Sequence, residues 1–174
     1  MSQFPPIQPD NTGISDRAYQ VKAKTDIYKA WNDDKRSIML QMPTGTGKSH
    51  VMASIIRDFD TARKSTNDEL KERVLLVAHR TEIIDQMARI VRDQGLPPSF
   101  IVSDGGRNRD YNPARRVQLA SIGTLGDPLQ NTWLDGLFPP TLILIDEAHH
   151  AAAETYRRLW DRFPKAKFLG VSAT

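Results

Sequence analysis

Ser37-Ile38-Met39-Leu40-Gln41-Met42-Pro43-Thr44-Gly45-Thr46-Gly47-Lys48-Ser49 is the stretch that decides how this chain folds. Ser37 to Met42 reads as a buried parallel strand. The residues from Ser49 to Arg57 carry apolar side chains at helical spacing and read as a helix. Between them lies a run ending in Gly-Lys-Ser, the pattern with which proteins build a phosphate cradle. Small residues let the backbone curl until several N–H groups point inward, and the following helix presents its positive N-terminal end. Lys48 is placed to reach β- and γ-phosphates, and the Ser49 hydroxyl to ligate Mg²⁺. Met42 stands where the usual pattern has its first glycine, but Gly45 and Gly47 still supply the unusual backbone angles. A Gly/Thr-rich turn that happens to precede a lysine is the plain alternative, and the strand–loop–helix context argues against it.

The rest of the chain repeats the same alternation. Arg17 to Trp31 can form a helix, and Arg73 to His79 is an apolar run suited to a sheet covered on both faces. Thr81 is a candidate N-cap for a helix from Glu82 to Gln94, with Gly95 as its stop. Phe100–Val102 and Val117–Ser121 read as strands, and Thr141–Glu147 is another apolar run, ending in two carboxylates. Ala151–Arg162 is helix-like and Lys167–Ser172 closes the pattern as a strand. Thr61 to Glu72 is polar and charged, and is expected to connect the phosphate-loop helix to the next strand. The whole predicts an α/β layer fold with a mostly parallel sheet, whose ligands bind beyond the carboxyl ends of the strands. Met1 to about Asp16, with Pro5, Pro6 and Pro9, is expected to be an extended or poorly ordered lead-in, and residues 17–174 the domain.

Bulk properties narrow the function classes. The chain has 174 residues, the size of one ordinary domain. It has no cysteine, so disulfides and thiolate metal sites are excluded, and a reducing cytoplasmic setting is compatible. No apolar run approaches the roughly 18 residues of a membrane span. A formal charge of +3 suits a nucleic-acid partner without requiring one. Arg107, Arg109, Arg115 and Arg116 cluster around a turn-rich segment, which reads equally as a solvated loop or as a phosphate-contacting one.

Asp146 and Glu147 form the second chemical motif. An NTPase needs one carboxylate to hold Mg²⁺ and another to orient or deprotonate the attacking water. At the end of a strand the chain leaves the sheet, so two adjacent acids can both face the phosphate site. Asp146 would act on the metal and Glu147 on the water. His149 and His150 follow directly, but Mg²⁺ prefers oxygen donors and no third well-spaced soft ligand appears.

With Asp146-Glu147-Ala148-His149 after the phosphate loop, the chain resembles the superfamily 2 helicases and translocases of the DEAD/DEAH-like group, including the Res subunit of type III restriction enzymes. It is similar to the first of their two RecA-like domains, and the resemblance covers roughly Arg17 to Thr174. It implies a RecA-like P-loop NTPase sandwich of three layers, using ATP and Mg²⁺. Arg17-Ala18-Tyr19-Gln20 is similar to the family's adenine-reading element, implying that Gln20 reads the base with Arg17 nearby. Pro43, Thr44, Gly45, Thr46, Gly47, Lys48 and Ser49 would hold the phosphates, with Lys48 and Glu147 catalytic and Ser49 and Asp146 on the metal. Val77 to Gln86 looks like motif Ia, whose backbone contacts to nucleic acid fall on Arg80 and Thr81, and Val117 to Leu125 resembles motif Ib, which assigns Thr124 a second contact. Ser172-Ala173-Thr174 matches motif III, whose hydroxyls link the nucleotide site to the strand and pair with His149.

In this family a second RecA-like domain carries the arginine finger, which is worth about 10³ to 10⁵ in rate. It also forms the second body of the motor. The expectation is therefore a monomeric ATP-driven motor domain for DNA or RNA, with DNA favoured, completed in cis or in trans. Residues 1–174 alone are expected to bind nucleotide and hydrolyse it poorly. A free-standing nucleotide-binding docking module and the motor of a restriction or interference nuclease are the alternatives.

Overall fold

A computed structural model describes residues 16–66, 73–104, 107–108, 110–126, 139–148 and 153–173. The lead-in before Asp16, Arg109, His149, His150 and Thr174 lie outside the described residues. In chain order the elements are α1 (Ala18–Asn32), β1 (Ser37–Gln41), α2 (Lys48–Thr66), β2 (Val74–Ala78), α3 (Thr81–Asp93) and β3 (Pro98–Ile101). There follow β4 (Ser103–Asp104), β5 (Arg107–Asn108), β6 (Val117–Ser121), α4 (Ile122–Gly126), β7 (Leu142–Asp146), α5 (Ala153–Arg162) and β8 (Lys167–Ser172).

Six strands form one sheet in the order β1-β8-β7-β2-β6-β3, every pairing parallel, while β4 and β5 make a separate antiparallel pair. β2 and β7 are buried along their whole length, as continuous apolar strands covered on both faces should be. Their side chains alternate between two cores. Val74, Leu76, Leu142 and Leu144 meet Ile27, Trp31, Val51, Ile55, Ile84 and Met87 of α1, α2 and α3. Leu75, Val77, Ile143 and Ile145 meet Leu125, Leu159 and Phe163 on the side of α4 and α5. This is a three-layer sandwich. Connections running toward β3 cross one face and those returning toward β8 cross the other, as right-handed crossovers require.

Helix ends are satisfied by specific groups. Arg36 donates to the carbonyls of Trp160 (2.6 Å), Phe163 (2.8 Å) and Ala166 (3.2 Å), with its guanidinium 3.5 Å from the Trp160 ring centroid. One side chain thus serves orphan carbonyls of α5 and stacks on its aromatic face. Lys167 Nζ donates to the carbonyl of Trp31, in the last turn of α1, at 3.2 Å. A cation there also suits the negative end of the helix. Gly95, at φ 77°, ends α3 by donating to Arg92 O, and Leu96 N donates to Val91 O. The helix closes as its glycine predicts.

Three local expectations are corrected. β1 is parallel but not buried: it forms one edge of the sheet, its residues alternate between exposed and half-buried, and Met39 is 61% exposed. Periodicity identifies a strand but not its place in the sheet order. α2 continues to Thr66, through residues expected to form a connection, because no Gly or Pro interrupts Thr61-Ala62-Arg63-Lys64. Thr81 is the first helical residue of α3 rather than its cap: Arg80 holds the extended cap position, and its carbonyl accepts from Ile83 N and Ile84 N. Among the described residues no helix is long and apolar enough to cross a membrane.

Candidate nucleotide site

The phosphate loop leaves β1 at Met42, whose N–H donates to Ser172 O of β8 at 2.9 Å, so both segments end side by side at the carboxyl edge of the sheet. The loop turns on Gly45 (φ 77°) and Gly47 (φ 88°). Both are left-handed conformations that a side chain would strain. Thr46 ties the turn back on itself, its hydroxyl donating to Pro43 O at 2.6 Å and its N–H at 3.3 Å. Lys48 then opens α2, with Ser49 the next residue and no acidic side chain in the first turn. An anion arriving here meets unpaired helix N–H groups and an ammonium with no local competitor on the helix.

Across the loop, the sequence-distant acids complete the site. Asp146 ends β7, only 4% exposed, and the next residue, Glu147, takes a left-handed φ of 51° that swings the chain off the sheet. Ala148 N rejoins the sheet by donating to Val171 O at 3.0 Å. As a result Glu147 Oε1 accepts from Lys48 Nζ at 2.9 Å, the two side chains being 25% and 13% exposed. Burial pushes the Asp146 carboxyl above its ordinary pKa, the neighbouring Glu147 charge adds to this, and Lys48 only partly opposes it. A half-compensated buried carboxylate is a hard-oxygen donor of the kind that suits Mg²⁺.

One side of the loop is lined by the start of α1. Gln20 is 4% exposed, its Oε1 accepts from Arg17 N at 2.8 Å, and its Nε2 donates to Thr46 O at 3.3 Å. A Cβ on Gly47 would come within 2.6 Å of that same Nε2, so the glycine gives the amide room to lie on the loop. Tyr19, to which sequence pattern assigns no role at the site, also reaches Thr46 O through its hydroxyl at 2.6 Å. Arg17 Nη1 in turn lies 3.4 Å from the Tyr19 hydroxyl.

The remaining expected residues are spread along the same edge. Arg80 and Thr81 are exposed where β2 gives way to α3. Thr124 is 5% exposed, its Oγ1 is 2.7 Å from Ser121 Oγ and its N–H donates to that oxygen. It faces inward as part of a serine-capped turn. Ser172 is 2% exposed at the end of β8. The arginine cluster resolves differently at its two described side chains: Arg115 pairs with Asp110 at 2.7 Å and donates to Pro98 O, while Arg116 pairs with Asp60 at 3.2 Å. Both lie just before β6, at the end of the sheet away from the phosphate loop.

A parallel sheet with the phosphate loop on its first strand, and an acidic pair two strands away at the same edge, defines a RecA-like ATPase core. Residues 13–174 match the family described as type III restriction enzyme, res subunit, and the chain belongs to that family. Over 171 residues, 95% of the chain, it is 29% identical to a type I restriction enzyme EcoAI endonuclease subunit of Escherichia coli. Over 159 residues, 91% of the chain, it is 29% identical to the DNA 3'-5' translocase XPB2 of Sulfurisphaera tokodaii. It spans only 20% of the first protein and 30% of the second. The fold is also that of the Sulfolobus solfataricus SWI2/SNF2 ATPase core, solved in complex with dsDNA: TM-score 0.65 at 17% identity, covering 96% of this chain and 34% of that one.

Proposed function

We propose that this chain is the first motor domain of an ATP-driven superfamily 2 translocase or helicase acting on nucleic acid, with DNA the favoured track. The supporting observation is the 2.9 Å contact between Lys48 and Glu147, which joins residues 99 positions apart at one loop. In this assignment the N–H groups of residues 43–49 and the Lys48 ammonium hold the triphosphate, displacing Glu147 from Lys48. Glu147, so released, takes the proton of the attacking water. Ser49 and Asp146 hold Mg²⁺, which when bound neutralises phosphate charge and satisfies the buried Asp146 carboxylate. Arg17 and Gln20 face the base, with Gln20 Nε2 exchanging its hydrogen bond to Thr46 O for one to the base.

Nucleic acid is placed along the carboxyl edge of the sheet, at Arg80, Thr81 and the turn containing Thr124. DNA is favoured because the XPB2 relative is named a DNA translocase and the SWI2/SNF2 core was solved on dsDNA. Ser172, with His149 and Thr174, would couple the two sites. We take the motor to be a cytoplasmic monomer completed by a second RecA-like domain, in cis or in trans, that brings an arginine to the γ-phosphate. Membership of the restriction-subunit family and the EcoAI likeness also suit a motor that serves a nuclease.

Titration of a fluorescent ATP analogue with Mg²⁺ tests the cradle. Lys48→Ala is expected to weaken binding about tenfold to a hundredfold, the weight of charge-assisted hydrogen bonds. Unchanged affinity would refute the assignment.

A further inference from the structure

Two polar ladders face one another between α1 and α2. On α1, Gln20, Lys24 and Tyr28 follow at four-residue spacing and share one face; on α2, His50, Ser54 and Asp58 do the same. Lys24 stands at the centre and is 0% exposed. Its Nζ donates to Ser54 Oγ at 2.6 Å and pairs with Asp58 Oδ2 at 2.8 Å and Asp16 Oδ2 at 2.9 Å. Tyr28 donates its hydroxyl to Asp58 Oδ2 at 2.8 Å, Ser54 Oγ donates to Asp16 Oδ2 at 3.1 Å, and His50 Nε2 lies 2.8 Å from Asp16 Oδ1.

Such a cluster is poorly explained as a source of stability. Removing an ammonium and two carboxylates from water costs several kcal/mol per ion, and apolar residues of similar volume commonly do as well or better. Asp58 Oδ1 is moreover buried without a hydrogen-bond partner among the described residues. What a ladder of this kind does supply is register. Apolar helix faces tolerate sliding by part of a turn, whereas sliding α1 along α2 would strand buried charge. Register matters at this contact because Gln20 is the next rung above Lys24 and rests on Gly47 and Thr46 O. On the facing helix, His50 directly follows Ser49.

We infer that Lys24 is a positioning residue for base recognition. Through Asp58, Ser54 and Asp16 it holds α1 at one register against the phosphate-loop helix, so that Gln20 meets the purine edge at a set distance from the phosphates. It thereby sets selectivity for adenine over guanine. The inference rests on the assignment of the loop as a nucleotide cradle.

The test is calorimetric titration of the purified protein with ATP, GTP and inorganic tripolyphosphate, each with Mg²⁺. Wild type is compared with Lys24→Met and with the double variant Lys24→Met/Asp58→Leu, which removes one opposed charge pair and leaves Asp16 with Ser54 and His50, with melting temperatures measured alongside. In the folded variants ATP affinity is expected to fall about tenfold, the worth of a misplaced hydrogen-bonding pair, and the ATP-to-GTP ratio to fall with it. Tripolyphosphate affinity should stay within about twofold of wild type, since phosphate contacts do not depend on the base. If both variants fail to fold, Ser54→Ala removes a hydroxyl and no charge, and should lower the ratio about threefold. An unchanged ratio in any folded variant overturns the inference, as does a wild type without adenine preference or an equal loss for ATP and tripolyphosphate. Wild-type protein that binds neither ATP nor tripolyphosphate would overturn the cradle assignment and this inference together.

Discussion

Glu147 shows how much one backbone angle does here. A β-region residue after Asp146 would point away from the phosphate loop, whereas φ 51° turns the carboxylate onto Lys48. A non-glycine residue held there costs on the order of 1–3 kcal/mol. Asp16 illustrates the electrostatic side. Burial would raise its pKa, but hydrogen bonds from Lys24, His50 and Ser54, with the Lys24 charge, outweigh that and hold it below the ordinary 3.8. Among the described residues, the groups hydrogen-bonded to Asp16 are Lys24 from α1 and His50 and Ser54 from α2. A carboxylate lowered on folding stabilises the fold above its unfolded pKa, and that contribution is lost as pH falls through the folded value. Asp16→Asn should therefore be less stable than wild type in urea unfolding near neutral pH, and the gap should close below about pH 4. A gap that persists in acid would show that the charge of Asp16 contributes nothing.

At the scale of elements, the strands are the most legible part of the chain. Leu142–Ile145 and Phe168–Val171 fall where their apolar runs place them, because a parallel strand covered on both faces needs an unbroken apolar sequence. Local pattern is silent on β1 being an edge, and on the continuation of α2 past its apolar face. It is silent also on the ladders, where polar residues at four-residue spacing look like solvated helix faces until two helices are brought together. The β7–β8 pair carries its own requirement. A Cβ on Gly170 would lie 2.8 Å from Ala148 Cβ and 3.0 Å from Met39 Cε, so β8 can pass under the turn after Asp146 only without a side chain. Gly170→Ala is expected to lower stability by about 1–3 kcal/mol, as overpacking does. Because Ala148 adjoins Glu147, the same variant should also weaken Lys48-dependent nucleotide binding. Wild-type melting and binding would show that the turn yields without cost.

Taken whole, the phosphate loop, Asp146–Glu147, Ser172 and Arg80 all lie at carboxyl ends of strands along one edge of the sheet, the edge at which open α/β sheets bind ligands. The chain spans 20% of the EcoAI subunit and 30% of the XPB2 translocase. If a second domain completes the site with an arginine, residues 1–174 alone should turn over ATP on the order of 10³-fold or more slowly than a two-domain protein. Steady-state hydrolysis with and without DNA measures this. Strong DNA-stimulated turnover by residues 1–174 would show that no second body is needed.

The sequence by itself determined the class of chemistry: a glycine-turned loop ahead of Lys48-Ser49 and an acidic pair ending an apolar run are local patterns, legible without coordinates. It determined the α/β alternation for the same reason, since periodicity is a property of neighbours along the chain. Strand order is not, and only the tertiary structure decided that β8 lies between β1 and β7 and that Glu147 turns back onto Lys48. It alone brought Lys24 to its buried place between two aspartates. Most of those contacts join residues dozens of positions apart, and their energies come from burial and charge pairing that exist only once the layers have closed.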